Sequence, residues 1–346
     1  MSIPETVGFY GGKFLPLHQG HVYCITKASC KVDKLYVILS YSRKRDKEIC
    51  ERDGFKYIDF KIRYRWLTML TKDMENVVVK IVGDDAGIDD YDWEDGAEKI
   101  KKCVGSPIDY VFSSEESYFD IFFNLYPESQ YVVIDGSRKR YNISATQIRT
   151  EGVFRHWGFI PDVVKPYFVK KVVVVGTEST GKSTLVRNLA KVYNTTYVEE
   201  YGRTKCNEVG GAESLIPEDY MDIAYQHKVN EYRAIQGANK VVFIDTESTI
   251  TKYYLELYED IKENKVLDRM SELNDYDLIL YLEPDVEWID DNTRLHGDSK
   301  VRDYNNRKLK IMFSTMDINY REVSGDYPER LEKSIKLIEG LLKEGE

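Results

Sequence analysis

Cysteine is scarce in this sequence, and the few cysteines follow no pattern. Five occur in 346 residues, and no two of them form a C-x-x-C pair. An odd and scattered set is unlike a disulfide framework, and it lacks the ligand spacing of a zinc site. We therefore expect reduced thiols in a cytoplasmic protein.

Long apolar runs and an excess of basic residues are missing as well. No segment approaches the roughly 20 apolar residues that cross a bilayer, and the start of the chain does not resemble a signal peptide. Lysine and arginine number 49 against 59 aspartates and glutamates, which gives a formal net charge of −10. We therefore expect no membrane and no nucleic-acid partner, although a few basic side chains in a cleft can still bind small anions.

The sequence does contain, at its midpoint, a strand, a glycine loop and a helix in direct succession. Valines at 172–175 lead into Gly176, and Gly181-Lys182-Ser183 opens a helical pattern. Such a loop can turn its backbone N–H groups inward around phosphate, because glycine tolerates the required angles. We expect Lys182 to reach the β- and γ-phosphates of ATP and the Ser183 hydroxyl to hold Mg²⁺. The predicted ATP-binding residues of this loop are Gly176, Thr177, Ser179, Gly181, Ser183 and Thr184.

Two later segments extend this pattern. A buried strand at 240–244 ends in Asp245, as expected of a Walker B aspartate that binds Mg²⁺ directly or through water, although any sheet edge can carry an aspartate. A polar segment at 287–297 precedes a basic helix. It is either a lid in which Arg294 stabilises the transferring phosphoryl group or an ordinary charged pair of helices.

The first half of the chain begins with a βαβ pattern. A strand at 6–10 leads into a loop at 11–21, and a helical pattern and a strand at 35–39 follow. His18 and His21 lie three residues apart and project from the same face of the first helical turn. They lie in a loop where open α/β sheets bind ligands, and one interpretation is a metal pair with a distant third ligand.

Two motifs in this half carry a family resemblance. Residues 12–21, GKFLPLHQGH, fit G-x-F-x-P-x-H-x-G-H, and residues 143–149, ISATQIR, fit I-S-[AS]-T-x-I-R. Both resemble the motifs of nucleotidyltransferases that are similar in fold to class I aminoacyl-tRNA synthetases, although residues 144–149 alone would fit an N-capped helix equally well.

The resemblance implies that a phosphate attacks the α-phosphate of ATP and that pyrophosphate leaves, which requires no covalent enzyme nucleophile. It implies catalytic roles for Lys13, His18, His21 and Arg149, and ATP contacts from Gly12, Phe14, Gly20, Ser144 and Thr146.

A nucleotidyltransferase followed directly by a P-loop kinase resembles the NadR family, bifunctional nicotinamide mononucleotide (NMN) adenylyltransferases and ribosylnicotinamide kinases. Glu247 and Asn292 stand where that family's pattern would have an aspartate and a glycine. Trp93 follows a strand end, and it either stacks on a substrate ring or packs down on the sheet. The predicted substrate-binding residues are Trp93, Glu200, Arg203, Glu247, Trp288, Asp290 and Asp291; Lys182, Asp245 and Arg294 are the predicted catalytic residues of the kinase.

The predicted fold is α/β, with two doubly wound parallel-sheet domains, a Rossmann-like nucleotidyltransferase and a P-loop kinase. We place the first domain at 1–151 and the second at 171–346, with a connector at 152–170 that contains Pro161 and Pro166. The connector is rich in aromatic residues, so we expect it to be packed rather than free. Some NadR members carry an N-terminal helix-turn-helix domain, for which we expect no room here.

The predicted function is to phosphorylate ribosylnicotinamide with MgATP and to join the resulting NMN to AMP, which yields NAD and pyrophosphate. Glu200 or Asp245 would orient the attacking hydroxyl, or Glu200 and Arg203 would bracket the ribose. Adenylyl transfer to another phosphate ester, such as nicotinate mononucleotide, FMN or phosphopantetheine, is one alternative. A non-catalytic nucleotide sensor is another, and the sequence leaves a homo-oligomer open.

Overall fold

The structure is a computed structural model that describes residues 5–84, 87, 92–285 and 299–343. The chain divides into two compact units between Val164 and Lys165, a position inside the predicted connector. Each unit contains one five-stranded sheet in which the neighbouring strands run parallel. The prediction of two parallel-sheet α/β domains is confirmed.

The first unit has the strand order β3-β2-β1-β4-β5. Its central strand β1 places Phe9 opposite Tyr36 of β2 and opposite Val111 of β4. Because the strand order reverses between β1 and β4, a crevice opens at the carboxyl ends of these two strands. The strands are β1 (Val7–Gly12), β2 (Lys34–Ser42), β3 (Val77–Asp84), β4 (Tyr110–Ser113) and β5 (Gln130–Val133). The helices are α1 (Gln19–Ser29), α2 (Arg43–Arg52), α3 (Phe60–Thr71), α4 (Trp93–Val104), α5 (Phe119–Leu125) and α6 (Ala145–Glu151).

The second unit has the strand order β10-β9-β6-β8-β7. Its central strand β6 places Val173 opposite Ile244 of β8 and Ile279 of β9, and the strand is fully buried from Val172 to Val175. The strands are β6 (Lys170–Val175), β7 (Tyr197–Val198), β8 (Val241–Asp245), β9 (Leu278–Leu282) and β10 (Arg321–Val323). The helices are α7 (Lys182–Val192), α8 (Tyr201–Val209), α9 (Pro217–Gln236), α10 (Ser248–Glu259), α11 (Lys265–Glu272), α12 (Ser299–Thr315) and α13 (Tyr327–Lys343).

A run of apolar β-branched residues explains why β6 occupies the centre of its sheet. Strands covered on both faces by helices have no polar face and read as continuous apolar segments. Val172 and Val174 pack with Leu185 and Leu189 of α7 in one buried cluster. This packing holds the start of α7 beside the end of β6, where the glycine loop connects them.

A buried ion network fixes the loop that follows β1. Asp46 of α2 is fully buried and accepts from Lys13 Nζ at 3.0 Å and from Arg63 Nη2 at 2.6 Å. Arg63 of α3, also fully buried, donates through Nη1 to the Lys13 carbonyl at 2.8 Å. The network therefore ties the first phosphate-binding motif to two helices.

Arg63→Met should strongly destabilise the first unit, because among the described residues it leaves the buried Asp46 charge with the partly exposed Lys13 as its ion-pair partner. Breaking a buried pair in this way costs about 3–5 kcal/mol. Arg65→Met, an exposed position on the same helix, is the matched control and should change the unfolding free energy by less than about 0.5 kcal/mol. Urea unfolding of the full chain checks this, and equal stability of the two variants would contradict it.

Candidate active sites

The two nucleotidyltransferase-like motifs meet at one cavity in the first unit. His18, Gly20 and His21 of the first motif line it together with Ser144 and Thr146 of the second. His18 is the N-cap of α1, and Ser144 is the N-cap of α6. The cavity lies at the carboxyl end of the central strand, beside backbone N–H groups at the start of α1, where an anion is favoured.

The two imidazoles use the same ring nitrogen for their hydrogen bonds within the protein. His18 Nδ1 accepts from the Gly20 amide at 3.1 Å, and His21 Nδ1 accepts from the His18 amide at 3.3 Å. The rings stack with centroids 3.7 Å apart. Because both Nδ1 atoms accept, a neutral ring must carry its proton on Nε2. Each ring is therefore a hydrogen-bond donor through Nε2–H.

Burial keeps both imidazoles neutral. It lowers the pKa of His18 to about 3, with a further contribution from the positive charge of Arg138. Burial also lowers the pKa of His21 well below its usual value, and His18 and Arg138 add to the effect. Gly20 permits this packing, since a Cβ at that position would lie 3.0 Å from the His18 ring.

Arg138 is a cation of this cavity that the motifs did not reveal. It lines the cavity with Glu115 and Asp135, and its Nη2 lies 2.5 Å from Glu115 Oε1. The sequence signal was available, because the basic run Arg138-Lys139-Arg140 follows the carboxyl end of β5. A cation in that place supplies charge to phosphate oxygens.

Four other predicted residues of this unit have protein partners. Lys13 pairs with Asp46, and Arg149 pairs with Asp53 at 2.7 Å and donates to the Leu15 carbonyl at 2.6 Å. Phe14 is buried, with its ring edge-on to His21 and its centroid 5.0 Å away. Gly12 leaves room for the same ring, because a Cβ at position 12 would lie 3.2 Å from Phe14. In these contacts all four shape the loop around the histidines.

Trp93 begins α4 and packs against aromatic rings of the same unit. Its ring centroid lies 5.4 Å from that of Tyr118 and 6.0 Å from that of Phe122. It is not among the described residues that line the His18 cavity. Its contacts match the packing alternative, and its substrate role stays a prediction.

The glycine loop of the second unit has the backbone that a phosphate cradle requires. Gly176 has a φ of 143°, and a Cβ there would lie 2.7 Å from the Leu282 carbonyl oxygen. Gly181, the N-cap of α7, has a φ of 86°. Ser179 also adopts a positive φ, of 60°. The loop therefore curves tightly between β6 and α7, as predicted.

Polar groups within this loop are buried without protein partners. Thr177 Oγ1 and Ser179 Oγ are two such atoms. Lys182 is buried, and its Nζ donates to the Thr177 carbonyl at 2.8 Å. Buried hydroxyls left without a bond are costly in a protein alone, so this pattern fits a loop built for a polar ligand.

Acidic and basic side chains converge beside the loop. Arg203 Nη2 lies 3.5 Å from Ser183 Oγ and 4.0 Å from Glu200 Oε2. Asp245, at the end of β8, is buried, and burial together with the charge of Glu200 raises its pKa to about 6. Ser183, Thr184, Glu200 and Arg203 line the cavity that contains the loop. Two neighbouring carboxylates in a buried site favour a cation between them.

Glu247 forms its described hydrogen bonds with neighbouring residues of the protein. Its carboxylate caps α10 by accepting from the Thr249 amide at 2.7 Å, and it also bonds with Asn274. It does not line the glycine-loop cavity as described, so its predicted substrate contact has no support from its geometry. Four further predicted residues, Trp288, Asp290, Asp291 and Arg294, lie outside the described residues, as does Asn292.

Several residues of the second cavity were not predicted. Tyr220, Tyr254 and Tyr258 line its wall with Glu178, which bonds with the Tyr258 hydroxyl. Burial and the charge of Glu178 raise the pKa of Tyr254 well above its usual value. The helical spacing of Tyr220 in α9 and of Tyr254 and Tyr258 in α10 reads as ordinary core, so only the three-dimensional structure assigns them to the cavity.

Arg330 of α13 anchors the glycine loop from outside the cavity. It is buried and bonds with the Thr180 carbonyl, and it donates to the carbonyls of Gly325 at 2.8 Å and Glu283 at 2.7 Å. The side chain joins three segments that are remote in sequence, so no local pattern could indicate it.

Comparisons with known proteins agree with this division. A family model described as an AAA domain matches residues 171–330. The trifunctional NAD biosynthesis/regulator protein NadR of Escherichia coli (strain K12) is 33% identical over 98% of this chain and 84% of its own length. The protein of the same name from Salmonella typhimurium (strain LT2) is 32% identical over the same shares.

Two solved structures are similar over both units. A NadR protein in complex with NR has a TM-score of 0.79 and 26% identity, covering 99% of this chain and 97% of that one. A NadR protein in complex with NAD and AMP-PNP has a TM-score of 0.76 and 25% identity, covering 98% and 97%. In the part of the chain that the structure describes, no helix is long and apolar enough to cross a membrane.

Neutral His18 and His21 should make stability depend on pH. Both groups have folded-state pKa values below the unfolded value of about 6.5, so the unfolded chain binds more protons as the pH falls. Stability should therefore be unaffected above pH 7.5 and fall below about 6.5, by up to about 1.4 kcal/mol per pH unit for each ring.

Urea unfolding between pH 7.5 and 5 measures this effect. The double variant His18→Gln with His21→Gln should show a shallower loss than the wild type, and His156→Gln, outside the cavity, serves as the control. A double variant with an unchanged pH dependence would contradict the neutral assignment.

Proposed function

Because the chain belongs to the NadR family, we propose that it carries out two consecutive steps of NAD salvage at two separate ATP sites. The second unit phosphorylates ribosylnicotinamide, and the first unit adenylylates the NMN so formed. The observation that carries the proposal is that each sheet has its own phosphate-binding loop at the carboxyl end of its central strand. Two such loops in one chain fit two ATP-dependent reactions.

In the kinase reaction, the 5′-hydroxyl oxygen of ribosylnicotinamide attacks the γ-phosphorus of ATP, and the bond to ADP breaks. Lys182 binds phosphate oxygens once it leaves the Thr177 carbonyl, and the backbone N–H groups of the loop surround them. Glu200 or Asp245 orients the attacking hydroxyl, with the Glu200 and Arg203 pair at the side of the ribose. Positioning and charge supply most of this catalysis.

The residues beside the loop fit Mg²⁺. Asp245 is buried next to the charge of Glu200, a repulsion that a cation would relieve. Ser183 and Asp245 are the residues that would hold the ion, and both are oxygen ligands of the kind that Mg²⁺ prefers. When bound with ATP, the ion neutralises charge on the phosphate oxygens.

In the adenylyl transfer, a phosphate oxygen of NMN attacks the α-phosphorus of ATP, and the bond to pyrophosphate breaks. The Nε2–H groups of His18 and His21 donate to phosphate oxygens, and Arg138 supplies positive charge. Ser144 and Thr146 line the same cavity and add hydroxyl contacts. Lys13 and Arg149 hold the loop in place through Asp46 and Asp53.

Paired variants test the assignment of one reaction to each unit. Lys182→Ala should lower phosphorylation of ribosylnicotinamide by about a hundredfold or more and leave NAD formation from NMN intact. His21→Ala should do the reverse. Lys191→Ala, an exposed position on the same helix as Lys182, is the control for the first variant. Chromatographic assay of NMN and NAD checks both, and loss of both activities in either variant would contradict separate sites.

Arg138→Met should lower kcat/KM for adenylyl transfer by about tenfold to a hundredfold, because the cavity loses its charged donor. Arg140→Met is the matched control, since Arg140 is exposed in the same basic run and is absent from the described cavity lining. Release of pyrophosphate from ATP and NMN is the measurement. If the two variants behave alike, Arg138 does not contact the phosphates.

A further inference from the structure

A strained residue follows the aspartate at the end of β8. Thr246 has a φ of 75°, in the left-handed region that a β-branched side chain rarely enters. The residue is buried and lines the glycine-loop cavity. Strain of this kind persists only where surrounding contacts over-determine the backbone, so the contacts of Thr246 identify what maintains it.

Two contacts from different elements hold this residue. Its amide donates to the Val174 carbonyl of β6 at 3.0 Å. Its carbonyl lies 3.0 Å from Nε2 of His227, a buried residue of α9. A carbonyl can only accept, so the His227 ring donates through Nε2–H. One bond fixes the strained residue to the strand that carries the glycine loop, and the other fixes it to a helix on the cavity wall.

The His227 ring lies beside a buried carboxylate that has hydrogen-bond partners of its own. Glu231, one helical turn later, lies 3.8 Å from His227 Nε2 through its Oε1 and is buried. Lys228 Nζ bonds with that carboxylate at 2.9 Å, and the Tyr276 hydroxyl bonds with it at 2.8 Å. The carboxylate is therefore fixed beside the imidazole, which limits how the ring can turn.

The conformation of Thr246 bears directly on Asp245. The two residues share a peptide bond, and Thr246 Oγ1 lies 3.4 Å from Asp245 Oδ1. A relaxed φ at Thr246 would rotate that peptide and turn the Asp245 carboxylate relative to Ser183 and the glycine loop. Small errors in such geometry cost a phosphoryl-transfer site much of its rate.

We propose that His227 is a positioning residue of the kinase site, which keeps Thr246 in its strained conformation and thereby aims the Asp245 carboxylate. The role of Asp245 rests on the proposed function, whereas the link between His227 and the Thr246 backbone does not. His227 acts through the backbone of Thr246, so His227→Phe should remove the effect and His227→Gln, which keeps a donor of similar reach, should retain it.

Crystal structures of the nucleotide-free and metal-free variants test the structural step. In His227→Phe, the φ of Thr246 should leave the left-handed region, and in His227→Gln it should stay near 75°. If His227→Phe does not fold, His227→Asn, whose donor is too short to reach, takes its place with the same expectation. A φ that stays left-handed without a donor at position 227 would overturn the proposal.

Kinetic measurements in the wild-type and Thr246→Gly backgrounds test the consequence for phosphorylation. His227→Phe should lower kcat for ribosylnicotinamide phosphorylation by about tenfold to a hundredfold, with a much smaller change in KM. In the Thr246→Gly background the same change should cost far less, since glycine enters the left-handed region without strain. Equal losses in both backgrounds would contradict the proposal, and a loss confined to KM would mean that His227 contacts the substrate instead.

Failure of the proposed function would give different experimental results from failure of the His227 proposal. Wild-type protein that does not phosphorylate ribosylnicotinamide would refute the kinase assignment, while the crystal structures would still decide whether His227 holds Thr246. Mg²⁺-dependent binding of ATP, measured by calorimetry without any acceptor, gives a second readout. His227→Phe should reduce the gain in ATP affinity that Mg²⁺ provides, and an undiminished gain would overturn the aiming of Asp245.

Discussion

The crowding of several loops at the end of a central parallel strand is the constraint on which the rest of this structure depends. Parallel strands end at the same edge of a sheet, so backbone N–H groups and side chains from several loops gather there. In the second unit, Gly176 lies so close to the Leu282 carbonyl that a side chain at position 176 would not fit. In the first unit Gly20 allows the His18 ring to lie over the start of α1.

Both sites keep groups in states that are unfavourable for an isolated protein. His18 and His21 are held neutral, Asp245 is buried near another carboxylate, and Thr246 is strained. Each is held by contacts elsewhere in its unit, and such costs are usual where a protein is built to bind or transform a ligand. The adjacent apolar cores, for example the packing of Leu185 against β6, supply the compensating stability.

Sequence reasoning predicted the parts of this architecture that are local. The glycine loop, the two histidines and the aspartate at the end of β8 can each be predicted from a few consecutive residues, because strand, turn and helix signals there agree. The alternation of predicted strands and helices was enough to predict the fold class, although the observed strand ends differ from the predicted ones by a few residues.

The unpredicted parts depend on contacts between remote segments. Arg330 reaches the glycine loop across about 150 positions, and His227 meets Thr246 through the packing of α9 on β8. Glu247 caps α10, a contact set by where the helix begins, and its predicted substrate contact stays a prediction. Burial, register and partner geometry decide such roles, and none of them can be read from spacing alone.

The most direct test of two consecutive reactions in one chain is a time course of the wild-type protein with ATP, Mg²⁺ and ribosylnicotinamide, in which NMN and NAD are followed together. NMN should appear first and then decline as NAD accumulates, with one ADP and one pyrophosphate formed for each NAD. Absence of NMN at all times with no NAD formed, or NMN that accumulates without any conversion to NAD, would contradict the assignment.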